Sequence, residues 1–205
     1  MIRDYRKFFE IFIKNPVFRR IWLMVRFPIL IISVLFIGLV IYRIPVVMER
    51  AKTEEVVEKI HSQKLTLEDV SGERLPPEPD SALKDATLEG IDANNNGIRD
   101  DVELAIFKLH PNSARIRAAE LQYAMALQNE LTQVFNSETL VATIQEEGRG
   151  SVCILDLKLV KEIEELVFNT DIRKETREDL YKKLMTSYAL FNSNYCDLDP
   201  VIFTN

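Results

Sequence analysis

From Phe27 to Tyr42 the chain carries 16 residues without a formal charge, bounded by Arg26 and Arg43. As a helix this run spans about 24 Å at 1.5 Å per residue, against a hydrocarbon core of about 30 Å. The difference closes when both arginines snorkel and the flanks Trp22-Leu23-Met24-Val25 and Ile44-Pro45-Val46-Val47 join the span. A segment apolar on every side has no face to turn to water, so a core helix of a soluble domain is disfavoured. Residues 27–47 are therefore expected to form a transmembrane anchor. The run exceeds a usual signal-peptide h-region and ends in Leu39-Val40-Ile41-Tyr42-Arg43, with no small-residue cleavage exit. The anchor is read as uncleaved.

Charge sets its orientation. Residues 1–47 carry 8 Lys/Arg against 2 Asp/Glu, and residues 48–205 carry 18 against 30, giving +6 and −12. Seven basic residues precede the run (Arg3, Arg6, Lys7, Lys14, Arg19, Arg20, Arg26), and three lie just beyond it (Arg43, Arg50, Lys52). The positive-inside rule places the N-terminus in the cytoplasm and the acidic body on the exported side. A body of −12 repels phosphates, which argues against a nucleic-acid partner. Residues 1–26 alternate Phe8, Ile11, Phe12, Phe18, Ile21 and Trp22 with basic side chains. That pattern suits a helix lying on an anionic leaflet, and equally a generic basic tail.

Beyond the anchor, residues 48–80 read as a stalk and linker. Glu49–His61 is charged and helix-favouring, with Val46, Thr53, Val57 and Ile60 at a weak seven-residue spacing. A solvated helical extension and a short homodimeric stalk both follow from it. Residues Lys64–Val70 alternate briefly and predict one short strand; Ser71-Gly72 and Leu75-Pro76-Pro77 then break regular structure. Residues 81–205 predict a small helical bundle. Its expected helices are Asp100–His110, a second capped by Asn112-Ser113 and running to about Phe135, Ser137–Glu147 ended by Gly148-Arg149-Gly150, Ser151–Asn169 and Asp171–Asn192. The second carries Ala119, Tyr123, Leu127, Leu131 and Val134 on one stripe. The fold class expected is mainly α: one N-terminal transmembrane helix followed by a small exported bundle.

Two cysteines, Cys153 and Cys196, fall on the exported side, where an oxidising compartment would join them. Closing a loop of 43 residues stabilises by roughly 4 kcal/mol in the chain-entropy picture. A free core thiol and a redox pair are the competing readings, although no C-x-x-C is present.

The most specific twelve residues are Asp92-Ala93-Asn94-Asn95-Asn96-Gly97-Ile98-Arg99-Asp100-Asp101-Val102-Glu103, which fit D-x-[DN]-x-[DN]-G-x5-E. A hard cation takes six to eight oxygens, and alternate side chains at loop positions 1, 3 and 5 supply three of them. Gly97 permits the turn that points the Ile98 carbonyl inward, Asp100 stands at position 9, and Glu103 closes the shell from the following helix. This segment resembles EF-hand-like calcium loops, and more narrowly the single loops of thrombospondin type 3 repeats and bacterial variants. The resemblance implies Ca²⁺ binding by Asp92, Asn94, Asn96, Ile98 through its backbone, Asp100 and Glu103. It covers these residues alone. Arg99 stands where such loops usually carry an apolar residue, no convincing entering helix precedes Gly90, and no second loop is present to pair with. A metal-free Asx-rich turn capping the next helix is the competing reading.

No nucleophile elbow, zinc-protease helix or phosphate loop occurs, and His61 and His110 lie far apart in sequence. His61 falls in the stalk, and His110 is expected to cap carbonyls at a helix end. Adjacent acids such as Glu164-Glu165 are expected on solvated faces. The class these features favour is a calcium-binding interaction or structural protein of the bacterial envelope. It would be anchored in the inner membrane with its body in the periplasm, and would meet the lipid bilayer and an envelope protein partner. An envelope enzyme whose site is assembled only in three dimensions is the alternative.

Overall fold

The structure is a computed structural model that describes residues 16–185 and 195–203. The chain divides into two compact units, Met1–Lys52 and Thr53–Asn205. Among the described residues there are seven α-helices, one 3-10 turn and no strand. Most of the amphipathic reading of residues 1–26 falls outside the described residues.

The first helix, α1 (Pro16–Ser62), contains the apolar run. From its start to Lys52 every described side chain is exposed, and the helix is long and apolar enough to cross a membrane. Pro28 and Pro45 lie within it near the two ends of the uncharged run. Each lacks an N–H and costs one intrahelical bond, a loss better tolerated in membrane helices than in soluble ones.

The second unit begins inside the expected stalk. Thr53 and Ile60 are buried there, so two of the four stalk positions pack within the chain's own body instead of standing in solvent. His61 Nδ1 lies 2.8 Å from Glu146 Oε1, and Lys64 Nζ lies 3.1 Å from Asp197 Oδ1. The expected strand at 64–70 is instead the short helix α2 (Leu67–Ser71). A capping box decides this. Thr66 accepts from the Asp69 N–H, while Asp69 Oδ2 accepts from the Thr66 N–H at 2.9 Å.

After the irregular stretch 72–99 come α3 (Asp100–Leu109) and α4 (Ala114–Gln133), close to their expected bounds. Ser113 caps α4 as anticipated, accepting from the Ile116 N–H. α4 is the centre of the body. Its residues from Arg117 to Leu131 are all buried, and α2, α3 and the later helices pack around it. Of the expected stripe Ala119, Tyr123, Leu127 and Leu131 are buried, whereas Val134 is the half-buried residue that ends the helix; Leu121 and Met125 bury the opposite side as well.

α5 (Ser137–Ile154) runs straight through Gly148 and Gly150, where the sequence suggested a stop. Gly150 serves close packing rather than a turn. A Cβ on it would lie 2.9 Å from the Tyr123 Cα, so its absence lets α5 approach α4. The helix ends at Leu155, which adopts a left-handed φ of 59° and is 81 % exposed. Asp156 then caps α6 (Leu157–Val167), accepting from the Lys158 N–H at 2.8 Å. The single helix expected over 151–169 is thus two, with Leu155 exposed at the break and Ile163 fully buried in the second. α7 (Asp171–Leu184) buries Arg173 and exposes Ile172, and residues 186–192 of the helix expected over 171–192 lie outside the described residues. Cys153, in the last turn of α5 rather than at a helix start, is joined to Cys196 with a Cα–Cα distance of 5.3 Å.

Candidate functional site

The twelve-residue segment folds as a tight loop leading directly into α3. Asp92, at its first position, takes two N–H groups: Asn96 donates to Oδ1 at 3.2 Å and Gly97 to Oδ2 at 2.9 Å. Asn94 Oδ1 accepts from the Asn96 N–H at 3.3 Å, and Asn96 Oδ1 from the Ile98 N–H at 2.9 Å. These successive Asx turns wind the backbone around the side chains at positions 1, 3 and 5. Gly97 adopts a φ of 85°, a left-handed conformation that favours glycine.

The loop is closed from α3. Glu103 is wholly buried, and its Oε2 accepts from Asn94 Nδ2 and Asn96 Nδ2, both at 3.0 Å. Asp100 Oδ1 accepts from the Ala93 N–H at 3.0 Å. Asp92, Asn94, Asn96, Asp100 and Glu103 therefore share one hydrogen-bonded loop, and Ile98 is buried within it. Among the described residues, Asp100 Oδ2 and Glu103 Oε1 are buried without a hydrogen-bond partner. Burial raises Glu103 to about 7, and the charges of Asp69 and Asp100 push the same way. Burial raises Asp100 too. Oxygens of this kind suit a bound cation, because a cation supplies what the missing hydrogen bonds do not. The described residues nevertheless contain no group of three or more His, Cys, Asp or Glu side chains gathered closely enough to hold a metal by themselves.

Arg99, the departure from the usual loop pattern, anchors the loop to the body. It is fully buried and pairs with Asp101 at 2.6 Å. It also donates to the carbonyls of Val167 at 3.1 Å and Leu166 at 3.0 Å, at the end of α6. A guanidinium there satisfies the last carbonyls of a helix and the negative end of its dipole. Arg173 does the same for the approach to the loop. Its guanidinium donates to the carbonyls of Lys84, Thr87 and Leu88 and to Asp85 Oδ1, the last at 2.7 Å. The two arginines replace the missing entering helix.

Three features escaped the sequence reading. Asp69, from α2, is 2 % exposed and lies close enough for its charge to act on Glu103; no spacing rule connects it to the loop. His110 does more than end a helix: its Nε2 lies 2.9 Å from Oε1 of Glu120, which is buried on α4 and raised to about 8 by that burial. Finally, Arg177 of α7 gathers Glu130 at 3.4 Å, Glu147 at 3.6 Å and Glu164 at 3.4 Å from three helices. Burial raises both Glu130 and Glu147, while the Arg177 charge acts the other way. Glu164, expected on a solvated face, also accepts from the Tyr123 hydroxyl at 3.1 Å. A helical wheel could have placed Glu130 and Glu147 on buried faces, but not facing each other.

Comparison with known proteins returned no matching family model, no matching curated protein and no matching solved structure.

Proposed function

We propose that this chain is a single-pass membrane protein that holds a calcium-stiffened helical body on the exported side of the bacterial inner membrane and presents it to an envelope protein. The observation that carries the reading is the pair of buried oxygens, Asp100 Oδ2 and Glu103 Oε1, without hydrogen bonds inside a loop of cation-binding pattern. Asp92, Asn94, Asn96, the Ile98 carbonyl, Asp100 and Glu103 would hold the ion, which supplies positive charge and no reaction. Asp92, Asp100 and Glu103 give the site a side-chain charge of −3. That is a modest field, in keeping with affinities of about 10⁻⁴–10⁻³ M at extracellular-type loops. The ion's role is structural: the loop joins directly to α3, so an occupied shell fixes that helix's entry into the body. A sensor that opens paired helices does not fit, because Arg99 and Arg173 clamp the loop to the turn between α6 and α7.

The exposed apolar helix supports the anchor, and the cystine supports an oxidising compartment for the body. Isothermal titration of the full chain in detergent tests the site. Uptake of one Ca²⁺ per chain at submillimolar to millimolar concentration is expected, with Mg²⁺ substituting poorly because its strict octahedron wastes the bidentate Glu103. No heat of Ca²⁺ binding at millimolar concentration would leave the loop an Asx-rich turn. A periplasm-active reporter fused after Asn205 should work, and a cytoplasm-active one working there instead would reverse the orientation.

A further inference from the structure

Asp69 divides its carboxylate between two tasks. Oδ2 is spent locally, accepting from the Thr66 N–H at 2.9 Å and from Thr66 Oγ1 at 2.7 Å. Oδ1 accepts no hydrogen bond from any described residue and lies 3.5 Å from Arg74 Nη1. The same guanidinium donates through Nη2 to the Asn94 carbonyl at 3.0 Å, and Asn94 Nδ2 donates both to the Arg74 carbonyl and to Glu103 Oε2. Asp69 is therefore linked to the cation loop from outside its twelve residues, through Arg74 and Asn94. Glu103 Oε1 and Asp100 Oδ2 are the buried oxygens without partners on the loop side.

We propose that Asp69 is a further acidic residue of the calcium site, contributed by α2, which raises the negative charge around the ion and ties occupancy of the loop to the capped turn 66–74. This rests on the calcium reading above and extends it to a residue that the loop pattern does not contain. Its chemistry suits a divalent cation. A further carboxylate near the buried Asp100 and Glu103 is unfavourable, and becomes favourable when two positive charges enter. Arg74 offsets part of the repulsion while the loop holds no ion, and its half-exposed guanidinium leaves room to turn outward. The arrangement strengthens a loop that carries two neutral asparagines where more acidic loops carry aspartates.

Asp69→Asn tests this, because the asparagine oxygen can still accept from Thr66 and preserve the α2 cap while the charge is lost. In the full chain in detergent, calorimetric titration with Ca²⁺ should give a dissociation constant about tenfold weaker, in the range seen for partners of metal ligands. The melting temperature in chelator should be unchanged or higher, since repulsion between Asp69 and Glu103 is relieved. Unchanged affinity in Asp69→Asn, with wild type binding one Ca²⁺, would overturn the role of Asp69 and leave the loop site standing. A lower melting temperature in chelator with unchanged affinity would show Asp69 to be a cap and nothing more. A wild-type chain that takes up no Ca²⁺ would overturn the loop site itself.

Discussion

Arg99 shows how much a single residue can carry in this body. Its guanidinium is fully buried, with the Asp101 carboxylate, two helix-end carbonyls and the Asn169 side chain as partners. Replacing it with methionine keeps much of the volume and leaves these acceptors without donors. Arg99→Met should therefore cost about 3 kcal/mol in urea unfolding. Arg115→Met, at an exposed position of α4, should stay within about 0.5 kcal/mol. Equal effects of the two would show that Arg99 anchors nothing. Glu120 makes a pH prediction. Its carboxyl goes from an ordinary 4.5 to about 8 in the fold, mainly through burial. A raised acid favours the folded state while protonated, so its contribution is full below about pH 4.5 and fades as pH rises through 8. Urea midpoints should fall between pH 5 and 8, and Glu120→Gln should reduce that slope. A slope unchanged by the substitution would contradict the assignment.

Among the elements, the boundaries that the sequence placed wrongly have local causes. Two glycines around Arg149 look like a stop, yet helical glycine also permits close approach, and only the neighbouring Tyr123 distinguishes the two. Gly150→Ala should cost about 1–3 kcal/mol, because the added methyl meets the α4 backbone at 2.9 Å. A neutral outcome would mean that α5 can shift outward. Leu155 is the converse case. It is apolar but ends the helix with a φ of 59° and stands exposed. Leu155→Gly should therefore stabilise by about 1 kcal/mol, by removing the left-handed penalty of a side chain that buries little. Loss of stability would show instead that this leucine packs on something. Where capping residues were decisive, as at Ser113, the sequence was legible; the Thr66–Asp69 box was equally present and was overridden by a brief apolar alternation.

At the scale of the whole molecule, two kinds of information differed in legibility. The apolar run, the charge asymmetry, the α4 stripe and the twelve-residue loop are one-dimensional patterns, and each could be read along the chain. The buried acids were not. Asp69 reaches the loop from 23 positions before Asp92, and Glu130, Glu147 and Glu164 meet Arg177 only because three helices converge on the fourth. The cystine lies between: both residues were visible, while their meeting depends on a helix end placed at Ile154. Alkylation of the denatured, unreduced chain should label neither Cys153 nor Cys196. Quantitative labelling would remove the cross-link and with it the support for an oxidising compartment.

The central claim is that a cation completes the loop before α3 and thereby stabilises the body. Ligand linkage gives its size, about 2.7 kcal/mol at a hundredfold excess over the dissociation constant. The measurement is the thermal unfolding of the full chain in detergent, in chelator and in 10 mM Ca²⁺ (about tenfold to a hundredfold over the expected dissociation constant), for wild type and Glu103→Gln. Wild type should show a Ca²⁺-dependent rise in melting temperature that is mostly lost in Glu103→Gln. A wild-type melting temperature indifferent to chelator, or a rise fully retained in Glu103→Gln, would contradict it.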